Sequence, residues 1–150
     1  AQRFKTDSVL FVGNSSGFIR TFCLSSETER KPLFDEKLRD WPVHAIDVSP
    51  DGRFLVAAYK PSTVVLWDLA RWRLVHHMSD MTKNETNSLT AVKFLTPERD
   101  STLFVLTAVH TGRVRIVRLK RKFWGSYESE AHSLFESRQH AMLQTVMVRP

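Results

Sequence analysis

Cysteine is all but missing from this 150-residue chain: Cys23 is the single one, so no intrachain disulfide can form and multi-thiolate metal sites are excluded. A chain with that cysteine usage is expected to fold in a reducing compartment. Long apolar runs are missing too, since no stretch approaches the roughly 18 residues needed to span a bilayer. The opening Ala1-Gln2-Arg3-Phe4-Lys5 lacks the apolar core of a signal peptide, which makes a cytoplasmic location the expectation. Catalytic signatures are equally scarce: there is no Gly-x-Ser-x-Gly elbow, no His-Glu-x-x-His and no Gly-rich phosphate loop. With 42% hydrophobic and 25% charged residues, composition argues against disorder, and the length suits one ordinary globular domain rather than two. The chain begins at Ala1 rather than Met, from which we expect a segment processed or excised from something longer.

What is present is a succession of short β-branched and aromatic runs. The pattern predicts strands at Val9 to Val12, Phe18 to Leu24, Val43 to Val48, Phe54 to Tyr59, Thr63 to Leu69 and Arg73 to Met78. It continues with Leu89 to Phe94, Leu103 to Val109, Val114 to Leu119 and Gln144 to Val148. Turn chemistry separates them at Asn14-Ser15-Ser16-Gly17, Ser49-Pro50-Asp51-Gly52, Lys60-Pro61-Ser62, Pro97 to Asp100 and His110-Thr111-Gly112. Phe123 to Phe135 is ambiguous: Phe123-Trp124 suits the start of an outer strand, and Glu128 to Phe135 suits a short helical turn.

Self-comparison sharpens this. Phe11 to Leu24 aligns with Val56 to Leu69 and again with Thr107 to Leu119, placing Ile19, Val64 and Val114 in one column and Phe22, Trp67 and Val117 in another. A second block, His44 to Pro50, recurs as Thr90 to Phe94 with Pro97 behind it, and once more as Gln144 to Pro150. Offsets of 45 and 50 residues, with about four short strands per unit, are the period of a β-propeller blade. Val43 to Ala57 followed by Val64 to Leu69 resembles a WD repeat, with Asp51-Gly52 in the turn and Trp67-Asp68 as the eponymous dipeptide. The expected fold class is therefore all-β, with WD-repeat blades of four antiparallel strands. The approximate units are an incomplete blade at 8–40, blades at 43–80 and 89–136, and an opening strand at 143–150. About three blades fall short of the roughly four to eight with which propellers close, so the chain is expected to be part of a larger propeller.

Few of the remaining residues suggest a site of chemistry. Six histidines are present, and His76-His77 is the tightest pair, but neighbouring side chains on a strand point to opposite faces and do not converge on one ion. Cys23, between Phe22 and Leu24, reads as a buried or edge thiol. Asn14-Ser15-Ser16 and Asn84-Glu85-Thr86 fit the glycosylation tripeptide, and neither is assigned a role. Met81 to Ser88 reads as a polar inter-blade loop, with partner binding as the other reading. No catalytic residue, metal or cofactor is expected.

The net charge of +6 is concentrated: Arg113, Arg115, Arg118, Lys120, Arg121 and Lys122 place six of the 22 basic residues in ten positions. On a strand, Arg113 and Arg115 share one face with Val117, and Arg118 lies on the other with Val114 and Ile116. Two readings stand side by side, a patch for an anionic partner and the solvated side of an outer strand. Nucleic acid is disfavoured, because no aromatic stacking platform interleaves the charges, and the Phe-Arg-Arg-Gly signature of phosphoinositide-binding propellers is absent.

The order of these parts carries a family resemblance. Asp47 to Gly52 through Leu66 to Leu69, Ala91 to Phe94, the Gly112-Arg113-Val114 strand, the Leu119-Lys120-Arg121 turn and His132-Ser133-Leu134-Phe135 together resemble the N-terminal propeller of the vacuolar protein sorting-associated protein 8 family. That family is the subunit peculiar to the endosomal tethering complex CORVET. The resemblance spans about residues 8 to 148. It implies a non-catalytic scaffold for vesicle tethering and vacuolar or lysosomal protein transport, peripheral on early endosomes, with a helical solenoid and a zinc-binding RING-like region elsewhere in the protein. The implied partners are other subunits of a large complex, an early-endosomal Rab-family GTPase and the endosomal membrane. The alternatives are a WD-repeat adaptor of another complex, such as a ubiquitin-ligase substrate receptor or a chromatin reader, and a binder of nucleic acid or anionic surfaces through the basic strand.

Overall fold

The computed structural model describes residues 9–24, 34–38, 40–60, 63–78, 89–95, 102–109, 113–122 and 125–136. These form three antiparallel sheets in chain order. The first holds β1 (Val9–Gly13), β2 (Phe18–Cys23) and β3 (Phe34–Lys37). The second holds β4 (Val43–Val48), β5 (Phe54–Tyr59), β6 (Thr63–Asp68) and β7 (Arg73–His77). The third holds β8 (Leu89–Leu95), β9 (Leu103–Val109), β10 (Arg113–Arg121) and β11 (Tyr127–Glu136). Within each sheet, sequential strands are neighbours. The first strands β1, β4 and β8 approach one another across sheets, as the inner strands of adjacent propeller blades do.

The middle sheet shows why its sequence is apolar without alternation. Along β5 every residue is buried, and along β6 all but Asp68. The side chains nonetheless go to two separate places. Leu55, Ala57, Tyr59, Val65 and Trp67 pack toward the first sheet with Ile19, while Phe54, Val56, Ala58, Val64 and Leu66 pack toward the third with Val92, Val105 and Val117. A sheet covered on both faces has no position left for a solvated side chain. Each such Val, Leu or Phe contributes about 1.5–3 kcal/mol by leaving water.

Turns between these strands are closed by side chains as well as backbone. Ser49 Oγ donates to Asp51 Oδ1 at 2.6 Å and accepts from Phe54 N–H at 2.9 Å, while Asp51 Oδ1 also accepts from Arg53 N–H at 3.1 Å. Gly52 has φ +68°, a left-handed value that costs a side-chain-bearing residue energy even though open space surrounds it. Asn14 Oδ1 closes the β1–β2 turn by accepting from Ser16 N–H and Phe18 N–H, both at 3.0 Å.

Two strands differ from the sequence expectation. Phe34–Lys37 is a strand beyond those the sequence pattern predicts, paired with β2 from Phe18↔Lys37 to Thr21↔Phe34, with an Arg20–Asp35 ion pair at 3.0 Å. Tyr127–Glu136 forms a ten-residue outer strand along β10, in place of the helical turn considered for Glu128 to Phe135. The open edge of β10 supplies partners for its backbone, which outweighs the modest strand preference of Glu, Ser and Ala. The expected strand at Gln144 to Val148, the loop at Met81 to Ser88 and the tripeptide at Asn84 lie outside the described residues.

Candidate binding surface

The WD signature residues take part in packing and in turns. Trp67, 6% exposed, packs with Leu55, Leu69 and Ile19 at the junction of the first two sheets. Asp68 turns the other way and caps the β6–β7 connection, its Oδ1 accepting from Ala70 N–H at 2.9 Å and Arg71 N–H at 3.2 Å. Asp51 and Gly52 build the β4–β5 turn described above. Of the four, only Asp68 also borders an open recess, and its Oδ1 is already engaged by its own turn.

Contacts across the second and third sheets are specific. Asp47 Oδ2 accepts from the Phe94 amide at 2.8 Å, and Asp47 Oδ1 meets Lys93 Nζ at 3.2 Å. At the outer strands, His76 Nε2 lies 3.0 Å from Ser129 Oγ. Between these, the Phe54 and Tyr127 rings meet edge to face at 5.8 Å. His76 thus joins two sheets while His77 is exposed, and among the described residues no group of three or more His, Cys, Asp or Glu could hold a metal ion. Cys23 is half-buried on β2.

The basic run lies on β10 and at its end, and alternation divides it. Val117 and Leu119 enter the core against the second sheet, with half-buried Arg113 and Arg115 on the same face. Arg118 and Lys120 stand on the opposite face, where β11 sets Glu130 opposite Arg118 and Glu128 opposite Lys120. Lys122 Nζ reaches Glu128 Oε2 at 3.1 Å. Arg118, Lys120, Glu128, Ser129 and Glu130 line a mixed-charge hollow of about 260 Å³. The outer strand therefore sets carboxylates beside that part of the run, a pairing that depends on Tyr127–Glu136 being a strand.

Arg121 is placed differently. It lies on the rim of a recess of about 150 Å³ at the seam of the second and third sheets, with Arg53, Arg71, Arg73, Asp68 and Tyr127. Because each sheet is an antiparallel meander, the β4–β5, β6–β7 and β10–β11 connections all emerge at the same end, which is what brings these residues together. Trp72 at φ +50° and Gly125 at φ +81° shape the two outer turns. Sequence reasoning missed Arg53, Arg71 and Arg73. The available signal was their position in or beside turns that the repeat register places at one end.

Repeated four-stranded blades, a Trp-Asp capped outer turn and a side-chain-locked inner turn define a segment of WD-repeat β-propeller, a class that generally serves as a non-catalytic platform for protein interaction. The chain belongs to the Vps8 β-propeller family, whose family model matches residues 2–148. It is similar in structure to the β-propeller domain of Cps50 (Swd1) from Myceliophteria thermophila, with a TM-score of 0.64 at 15% identity, over 84% of this chain and 35% of that one. It is likewise similar to the WD40 repeats of RRP9, with a TM-score of 0.58 at 17% identity, over 81% of this chain and 32% of that one. The chain thus spans about a third of the length of these propellers. A search of curated proteins by sequence finds no significant match.

Proposed function

We propose that this chain is a non-catalytic interaction scaffold in endosomal vesicle tethering and vacuolar or lysosomal protein transport, working within a large cytoplasmic complex on early endosomes. The observation that carries the reading is the Vps8 family match over residues 2–148. It is supported by blades locked to one another by Asp47, Phe54 and His76, a rigid frame on which turns can hold partner-binding side chains in place. Expected partners are the other tethering subunits and an early-endosomal Rab-family GTPase. Proximity labelling from the tagged full-length protein tests this. Enrichment of tethering subunits and of a GTP-locked Rab on early endosomes is the expected result, and enrichment of ubiquitin-ligase or chromatin complexes instead would overturn it.

A further inference from the structure

The recess at the seam of the second and third sheets is chemically unusual for a structural joint. Four guanidinium-bearing side chains, Arg53, Arg71, Arg73 and Arg121, line it, against a single carboxylate, Asp68. That carboxylate already accepts two backbone N–H groups of its own turn. None of the four arginines makes an ion pair with another described residue, although Glu128 lies close by on β11 and pairs with Lys122. All four are exposed. Arg53 is also held over the Phe54 ring at 5.3 Å, which limits its freedom before any ligand arrives. Tyr127 completes the wall. Burial pushes its phenol above the ordinary value, Arg121 and Arg53 oppose this and Asp68 and Asp51 reinforce it, so near neutrality it remains a hydrogen-bond donor.

Like charges gathered in one hollow repel one another and cost stability unless an anion joins them. Guanidinium groups suit a tetrahedral oxyanion, because each presents parallel N–H donors to two oxygens. The size is informative as well. At about 150 Å³ the recess is well below the roughly 300–1,000 Å³ of sites for whole small molecules, and it suits a single phosphoryl group. We propose that this recess, built by Arg53, Arg71, Arg73, Arg121 and Tyr127, binds a phosphoserine or phosphothreonine borne by a partner protein. The surroundings favour a peptide over a lipid surface. Glu128 and Glu130 stand exposed on the adjacent strand, whereas docking onto an anionic bilayer calls for an extended field of one sign. The exposed large hydrophobic residues among those described, Leu10, Val12 and Leu24, all lie on the first sheet or at the end of its β2, away from the recess.

The inference does not depend on the tethering reading, since it concerns only the chemistry of the recess. The test is retention of full-length protein on an immobilised degenerate peptide library with a fixed central phosphoserine, beside the same library with serine and vesicles of phosphatidylcholine containing phosphatidylinositol 3-phosphate. We expect phosphoserine-dependent, salt-sensitive retention. It should weaken about tenfold in both R71A/R73A and R121A, which alter different sheets, and stay within about twofold in K120A, which lies outside the recess. Thermal melts matching the unsubstituted protein establish that the variants are folded. Equal retention on the serine library, loss in K120A as large as in R121A, or arginine-dependent binding to the vesicles alone would each overturn the proposal.

Discussion

Removing the Asp47 carboxylate is the sharpest probe of what joins the second and third sheets. Its two oxygens have different work: one accepts from the Phe94 amide at 2.8 Å, the other meets Lys93 Nζ at 3.2 Å. The Lys93 side chain is 47% exposed, so that ion pair is screened and contributes about 0.2–1 kcal/mol. The Phe94 bond is of another kind, because its acceptor is charged and the Asp47 side chain is only 22% exposed, which puts the bond at about 1.5–3 kcal/mol. Asp47→Ala is therefore expected to destabilise the propeller by about 2–3 kcal/mol. Asp47→Asn keeps an acceptor for the amide and is expected to cost about 1 kcal/mol, and Lys93→Ala less than that. Urea unfolding followed by tryptophan fluorescence measures the series, and hydrogen exchange at the Phe94 amide reports the bond directly. The partition is refuted if Lys93→Ala costs as much as Asp47→Ala, or if Phe94 keeps its protection in Asp47→Ala.

Three further expectations rest on separate features. A Cβ added at Gly13 would stand 2.8 Å from Val43 Cβ and closer still to Val43 Cγ1, so Gly13→Ala should cost about 1–3 kcal/mol. Adding Val43→Ala should recover part of that loss and not all, because the Cβ clash remains, and full recovery in urea titrations would contradict the geometry. The Tyr59 hydroxyl is buried with no hydrogen-bond partner among the described residues, and burial pushes its pKa up to about 12. Tyr59→Phe should then be neutral or stabilising by up to about 1 kcal/mol. It should also abolish the stability loss between the ordinary pKa of 10.0 and about 12, where the unfolded chain ionises and the folded one does not. A loss beyond about 1 kcal/mol would reveal a partner for the hydroxyl. Partial burial, and secondarily Lys60, hold His44 below its ordinary 6.5. Protonation thus favours the unfolded chain, and stability should fall as pH drops below 6.5 in the unsubstituted protein relative to His44→Gln. Parallel melting curves for the two across pH 5 to 8 would count against this.

The legibility of the fold followed packing on two sides. β5 and β6 are apolar at nearly every position because sheets cover both faces, and such runs stand out in any sequence. Phe34–Lys37 did not stand out, since Asp35, Glu36 and Lys37 are strand residues through what β2 offers them: Arg20 pairs with Asp35, and Lys37 Nζ lies 4.9 Å over the Phe18 ring. Both partners lie well over ten residues away in the sequence, where no local pattern registers them. The same holds for the recess. Arg121 stands out because it sits in a basic run, whereas Arg53 and Arg71 in turns and Arg73 at the start of β7 are scattered residues that only the meander collects.

The outer strand β11 bears on how the protein behaves at high concentration. A terminal strand of a sheet leaves a row of backbone donors and acceptors that could template another chain, and flat apolar edges of that kind lead to fibres. Here the exposed positions carry Glu128, Glu130 and His132, and the pairing with β10 slips at Val114/Arg115. Any strand adding to this edge would have to bring its own side chains against those carboxylates and follow a bent rail. Glu128, which pairs with Lys122 and faces Lys120, and Glu130, which faces Arg118, therefore also keep the rim of the blade from recruiting its neighbours in a crowded complex.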